Sequence, residues 1–146
     1  MAGLIDTNVL LYSANQDAEE HPKAAAFLQD TVAASADAWY LTDGIIYEFL
    51  RVSTHPKVFE RPLSWKEAVT FLTPFWKADN IGIITPTAQH WSILPRELSK
   101  ITHPSGNLFF DIRSFILMLE YGVRRIYTTD TDFLQFNGIE VINPLQ

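Results

Sequence analysis

Short apolar runs alternate with longer segments of helical periodicity along the chain. The runs are rich in apolar and β-branched residues, as expected for strands buried within a sheet. The predicted strands are residues 2–5, 39–41, 81–85, 125–129 and 140–142. The predicted helices are residues 9–14, 22–34, 44–54, 64–78, 88–99 and 108–121. This alternation favours an α/β fold with a central, mainly parallel sheet of about four or five strands and helices on both faces.

Capping signals mark the ends of several predicted helices. Asp6 and the two residues after it offer turn and cap chemistry before the first helix. Ser64 and Glu67 have the capping-box spacing, and Thr87 is a candidate cap for the helix that follows the third strand. Gly122 is a natural stop for the last long helix.

The composition fits one globular domain. A chain of 146 residues buries a full core without disulfides, so we expect a single domain over residues 1–146. Cysteine is absent, which excludes a disulfide framework, a thiol nucleophile and a Cys-based zinc site. The aromatic share of 13% indicates that part of the surface contacts another protein. Neither a signal peptide nor a membrane-spanning run is evident, so we expect a cytoplasmic protein that does not enter a membrane.

The net charge of −6 weighs mildly against binding to nucleic acid, because phosphate backbones are held chiefly by Lys and Arg. Acidic residues that bind divalent cations, however, no longer present a negative field once the ions are bound. The charge balance therefore does not exclude a nucleic-acid substrate if the acids form a metal site.

Four acidic residues occupy positions where a carboxylate is costly. Asp6 follows the first predicted strand and Asp130 follows the fourth, so both belong at the carboxyl-end edge of a parallel sheet. Asp111 lies on the inward side of its predicted helix, and Glu48 lies at the border of an apolar stripe. A carboxylate facing a core is unfavourable unless it is paired, protonated or bound to a cation. With only 11 Lys and Arg residues in the chain, a shared divalent cation is simpler than four separate ion pairs.

Each acid also has an ordinary structural interpretation. Asp6 alone fits a helix cap, Asp111 fits a first-turn acid favoured by the helix dipole, and Glu48 fits a partly exposed helix residue. Asp130 and Asp132 fit a turn. The acids taken together favour a cation site, and oxygen ligands without Cys or clustered His select magnesium, manganese or calcium over zinc.

Ordered motifs accompany these acids: LIDTNVLL at residues 4–11, EFLRV at 48–52, GNL at 106–108 leading to Asp111, and TTDTDF at 128–133. They resemble the motifs of PIN-domain nucleases, and most closely those of VapC toxins from bacterial toxin-antitoxin pairs. The resemblance covers essentially the whole chain, including residues 53–59 and 143–145. One departure is that the helix after Asp111 is usually rich in alanine in that family and here has Ile112, Arg113 and Phe115, with Phe110 before the acid.

The resemblance implies a three-layer PIN-like fold and a Mg²⁺- or Mn²⁺-dependent endoribonuclease that leaves a 5′-phosphate. It also implies a homodimer that a cognate VapB-like antitoxin neutralises. The acidic site implied by the resemblance consists of Asp6, Glu48, Asp111 and Asp130. Groups implied to support that site or position the substrate are Asn8 and Thr128, with Asp132 as an additional helper. Metal-activated water then attacks the phosphodiester, and no protein nucleophile is required.

Basic and imidazole side chains have less specific signals. The candidate phosphate contacts are Arg51, Lys57, Arg61 and Arg113, each of which also fits a solvated charge or an ion pair. All four histidines lie in polar or loop settings and are expected to be non-catalytic surface residues: His21, His55, His90 and His103.

Two other functions compete with the nuclease. An aspartate-nucleophile phosphatase would use Asp6, but such enzymes carry a second Asp two residues on, where this chain has Asn8. A protein-binding module with an inactive acidic pocket would instead accept cationic side chains from a partner, and the aromatic-rich helix around Phe71 and Phe75 fits protein contact.

Overall fold

Five parallel strands form one sheet in the computed structural model, which describes residues 2–146. The strands are β1 (Leu4–Ile5), β2 (Trp39–Thr42), β3 (Ile81–Ile84), β4 (Arg125–Tyr127) and β5 (Glu140–Ile142). Their order across the sheet is β3-β2-β1-β4-β5, so β1 lies at the centre. The chain moves outward to β3 and then returns to place β4 on the other side of β1. Because such connections are right-handed, the helices of the two halves cover opposite faces, and the predicted α/β fold is confirmed.

Six α-helices cover the sheet within residues 2–146. They are α1 (Thr7–Ala14), α2 (His21–Ala26), α3 (Asp43–Ser53), α4 (Trp65–Lys77), α5 (His90–Leu98) and α6 (Leu108–Tyr121). A π-helical segment (Phe27–Val32) continues α2, and a 3₁₀ segment (Thr131–Gln135) follows β4. None of the helices described is both long and apolar enough to cross a membrane.

Three of the predicted helix ends have the expected chemistry. The Asp6 carboxylate accepts a hydrogen bond from the Thr7 amide and so caps α1. Ser64 and Glu67 make both hydrogen bonds of the capping box at the start of α4. Gly122 ends α6 in the left-handed region, with φ of 67°, which only glycine adopts without strain.

The helix predicted over residues 22–34 is not uniform. Its second half is a π-helix, in which the Ala33 amide bonds to the Leu28 carbonyl five residues earlier. The wider turn buries both Phe27 and Val32, and Phe27 stacks on Tyr127 with 5.2 Å between ring centroids. No local pattern distinguishes this arrangement from an α-helix, since packing against the sheet decides it.

The prediction that Thr87 caps α5 is met only in part, because Gln89 occupies the N-cap position. The Thr87 hydroxyl accepts a hydrogen bond from the Gln89 amide at 3.2 Å and donates to the Glu120 carboxylate on α6. The expectation that His90 is a surface residue was wrong. Its ring is buried and lies 2.7 Å from a Glu120 carboxylate oxygen, so the pair links α5 to α6.

Close contact between the central strands brings the ends of β1 and β4 together. A Cβ atom on Gly3 would lie 2.5 Å from the Arg125 carbonyl oxygen, so only glycine allows this approach. Leu4, Ile5 and Ile126 are fully buried at the same level of the sheet. The residues that follow β1 and β4 are therefore held side by side.

Candidate metal centre

Asp6 lies where β1 ends, next to the end of β4. Its amide donates to the Tyr127 carbonyl, which extends the strand pairing by one residue. The side chain is 8% exposed and its two carboxylate oxygens have different partners. One oxygen accepts from the Thr7 amide, and the other accepts from the Thr128 hydroxyl at 2.8 Å and the Asn8 amide group at 3.2 Å.

Asn8 and Thr128 connect the two strand ends. The Asn8 side chain donates to the Thr128 hydroxyl and accepts from the Thr129 amide, at 3.0 and 3.1 Å. The Thr128 hydroxyl also accepts from the Asp130 amide. Together these bonds orient Asp6 and fix the backbone that leads to Asp130, which is the geometry expected of groups that support a site without touching a substrate.

Glu48 and Asp111 face Asp6 from two helices. Glu48 lies in the middle of α3 and Asp111 lies in the first turn of α6, and both are partly buried. The three acids line one open cavity of about 430 Å³. These positions agree with the helical periodicity, which predicts Asp111 on an inward face and Glu48 at the border of an apolar stripe.

Asp130 and Asp132 lie close to Asp111 and complete the cluster. Carboxylate oxygens of Asp111, Asp130 and Asp132 lie within 4.8 Å of one another. The 3₁₀ segment produces this arrangement, because the Asp132 amide donates to the Asp130 carboxylate and folds the chain back at that point. Asp132 is exposed, whereas Asp111 and Asp130 are partly buried.

The acids perturb one another. Burial raises the pKa of Asp6 to about 6, with further increase from Glu48 and Asp130 and an opposing effect of the bonds from Thr128 and Thr7. Burial, together with four neighbouring carboxylates, raises the pKa of Asp111 to about 7. The four carboxylates are those of Asp130, Asp6, Asp132 and Glu48. Repulsion among these groups is relieved either by protons or by a bound cation.

The basic residues near the cavity differ in their freedom to bind an anion. Arg113 lines the cavity but donates to Asp43 at 2.7 Å, and its guanidinium lies so close to Gly44 that a Cβ there would be 2.5 Å away. Arg51 lines the cavity, is exposed and makes no ion pair within residues 2–146. Of the remaining candidates, Arg61 is paired with Asp17.

The donor set fits a hard divalent cation. The carboxylates supply oxygen ligands alone, there is no Cys in the chain, and no imidazole lines the cavity. A covalent role for Asp6 fits less well, because both of its oxygens already accept hydrogen bonds and Asn8 supplies an amide where a phosphatase needs an acid.

Two aromatic residues that line the cavity are not predicted as site residues from the sequence. Tyr47 precedes Glu48 on α3 and has no signal of its own, since it lies outside the apolar stripe. Phe110 precedes Asp111 on α6, and its only signal is a departure from the PIN-domain pattern.

Comparison with known proteins places the chain in a family. It is 30% identical over 141 residues to "Ribonuclease VapC37" of Mycobacterium tuberculosis, across 97% of this chain and 96% of the relative. The chain belongs to the VapC family of PIN-domain ribonucleases. No family model matches the sequence.

Solved structures of VapC proteins have the same fold as this chain. The crystal structure of VapC20 from Mycobacterium tuberculosis, described as a toxin that cleaves the Sarcin-Ricin loop, aligns with a TM-score of 0.70 at 16% identity over 98% of this chain and 100% of that one. The VapBC-1 structure from nontypeable Haemophilus influenzae aligns with a TM-score of 0.64 at 14% identity and covers all of both chains. The predicted PIN-like fold is confirmed.

Proposed function

We propose that this VapC-family chain is a Mg²⁺- or Mn²⁺-dependent endoribonuclease toxin, in which residues 1–146 act as a single PIN domain. The main support is that carboxylates from β1, α3 and α6 line one open cavity, while two more from the segment after β4 have oxygens within 4.8 Å of an oxygen of the α6 acid. Membership of a ribonuclease family makes phosphodiester hydrolysis the chemistry that such a cluster serves.

The four predicted acids would hold the metal, with Asp111 central because it adjoins the other acids. Asp111, Asp130 and Asp132 supply oxygens close enough to share one ion. Asp6 and Glu48 line the same cavity as Asp111. A bound divalent ion activates a water for attack on the phosphate and stabilises the charge that develops on its oxygens.

The surrounding residues would orient the acids and the substrate. Thr128 and Asn8 hold the Asp6 carboxylate in position through the bonds described above. Arg51 is placed to contact a backbone phosphate, since it is exposed and unpaired at the cavity. Arg113 acts mainly by joining α6 to Asp43 on α3.

The partners would be RNA, a VapB-like antitoxin and a second copy of the chain. The VapBC-1 and Rickettsia felis VapBC2 structures, whose names pair VapC with VapB, support a proteinaceous antitoxin. Relatives named as ribonucleases, such as VapC37, support RNA as the substrate class. The enzyme would act in the cytoplasm, where such RNA is found.

The test is cleavage of total RNA by the purified chain in Mg²⁺, repeated with excess chelator, followed by sequencing of the new 5′ ends. Asp130→Asn is the informative variant, because an amide oxygen still accepts the bond from Asp132 while the charge is lost. We expect activity to fall at least about 100-fold. The matched control is Asp79→Asn, on an exposed aspartate outside the cavity, which should cut normally. Undiminished cleavage in chelator would refute the proposal.

A further inference from the structure

Helices α3 and α6 present matching rows of side chains to the cavity. Each row has the spacing i, i+3, i+4, i+7, which places its members on one helical face. The row on α3 consists of Gly44, Tyr47, Glu48 and Arg51. The row on α6 and its N-cap consists of Asn107, Phe110, Asp111 and Ser114. In both rows an aromatic residue directly precedes an acid, so the two rings flank the acids from two helices.

Both rings are unusually exposed for residues that line a cavity. Tyr47 is 72% exposed and Phe110 is 62% exposed. Neither ring stacks on another aromatic ring within residues 2–146, whereas Phe49 stacks on Phe71 and Phe115 stacks on Phe136. Two exposed rings beside one polar cavity form a candidate binding surface.

The neighbouring charge favours a nucleic-acid strand over an apolar ligand. Arg51 lies one helical turn after Tyr47 on the same face and has no acidic partner among the described residues. A phosphate held at the acids through a cation and at Arg51 directly would direct the attached bases outward, toward the rings. Aromatic side chains bind unstacked bases of any sequence through their faces.

We propose that Tyr47 and Phe110 stack on unpaired nucleobases on either side of the phosphate held at the acids. The substrate is then a single-stranded or looped RNA segment, because the bases of a duplex are stacked on one another and offer no free face. This inference rests on the proposed function for the position of the phosphate, but it concerns binding rather than hydrolysis.

The experiment measures binding of a fluorescein-labelled RNA of roughly 12 nucleotides, as a single strand and as a blunt duplex, by anisotropy in Mg²⁺. The full chain carries Asp130→Asn so that the RNA is not consumed. Tyr47→Ala and Phe110→Ala should each weaken binding of the single strand about 5- to 100-fold. Tyr47→Phe and Phe110→Tyr should bind like the parent, because each keeps a ring. Trp65→Ala is the matched control, since Trp65 is 65% exposed on α4 and does not line the cavity.

The outcomes separate this inference from the proposed function. If the unaltered chain cuts no RNA yet single-strand binding depends on both rings, the nuclease proposal fails and the stacking proposal stands. If the chain cuts RNA and both alanine variants bind like the parent, the stacking proposal fails alone. Equal binding of duplex and single strand would also overturn it. So would sedimentation showing that either alanine variant turns a dimer into a monomer, because the rings would then form an interface between copies.

Discussion

Two carboxylates on helix α6 face opposite electrostatic surroundings. Glu120, in the last turn, has a side chain that is 1% exposed and accepts bonds from the Thr87 amide, the Thr87 hydroxyl and the His90 ring. Asp111, in the first turn, is less buried and accepts no hydrogen bond from any of residues 2–146. Burial alone therefore does not distinguish a structural acid from a candidate metal ligand. Asp111 differs from Glu120 because it lies among other carboxylates and has no donor to offset their repulsion.

The pKa values of the two groups move in opposite directions. Burial raises the pKa of Glu120, but the bonds from Thr87 and His90 outweigh it and hold the pKa below its usual value. For Asp111 burial and neighbouring carboxylates act in the same direction and give a pKa of about 7. Glu120 stabilises the fold as a paired anion, whereas ionisation of Asp111 lowers the stability of the fold.

Replacement of Asp111 by Asn should have the largest effect and should act oppositely on activity and stability. We expect RNA cleavage to fall about a thousandfold, because the acid that adjoins all the others is lost. The free energy of unfolding of the metal-free chain at pH 8 should rise by on the order of 1 kcal/mol, since one repelling charge is removed and partial exposure screens the effect. Cleavage assays and urea titrations measure the two. Lower stability would show that Asp111 is a structural anion like Glu120.

Replacement of Glu120 by Ala should give the reverse result. Loss of the carboxylate leaves the buried His90 ring without its partner, whereas the two groups of exposed Thr87 can bond to water, and we expect destabilisation by about 2 kcal/mol. Cleavage per folded molecule should stay unchanged at a temperature where the variant is folded. Glu140→Ala is the control, because its exposed pair with Arg125 should contribute little. A specific loss of activity in folded Glu120→Ala would break the distinction between the two acids.

Replacement of Thr128 by Val tests the support of Asp6. The substitution keeps the shape but removes a hydroxyl that donates to Asp6 and accepts from Asn8 and Asp130. We expect cleavage to fall about tenfold, as for other residues that orient metal ligands. The Mg²⁺ concentration for half-maximal activity should rise, and Thr128→Ser should restore both values. An unchanged Mg²⁺ requirement would separate Thr128 from the metal centre.

The smallest effect concerns pH and the metal-free fold. Asp6 and Asp111 have folded pKa values of about 6 and about 7, above the value of 3.8 for a free side chain. Their contribution to the free energy of unfolding is therefore fully present below about pH 4, and it is lost as the pH rises through 6 and 7. In chelator we expect the melting temperature to be about 3 °C higher at pH 5.5 than at pH 8. Calorimetry of Asp111→Asn should show a weaker dependence of the melting temperature on pH. For the unaltered chain, a higher melting temperature at pH 8 than at pH 5.5 would contradict the raised pKa values.

Much of the fold and the position of the acids follow from local pattern. Asp6 and Asp130 were placed together because parallel strands end at one edge of the sheet. Asp111 and Glu48 were placed by helical periodicity. These rules work because the residues next to each acid in sequence determine where its side chain lies, at a sheet edge or on one face of a helix.

The errors share a different cause, because they concern contacts between distant segments. Glu120 contacts both Thr87 and His90 in space but lies 30 residues from His90 in sequence. Nothing in the sequence near Thr87 or His90 indicates that it accepts bonds from both. Tyr47 was missed for a related reason, since an exposed aromatic residue has no periodic signal until the opposite wall of the cavity is known.

Gly44 contacts the Arg113 guanidinium at the edge of the acidic cavity. Since a methyl group at position 44 would lie 2.5 Å from the guanidinium, any larger residue there requires the Arg113 side chain to shift. The absence of a side chain at Gly44 thus leaves the space in which Arg113 joins α6 to Asp43 on α3.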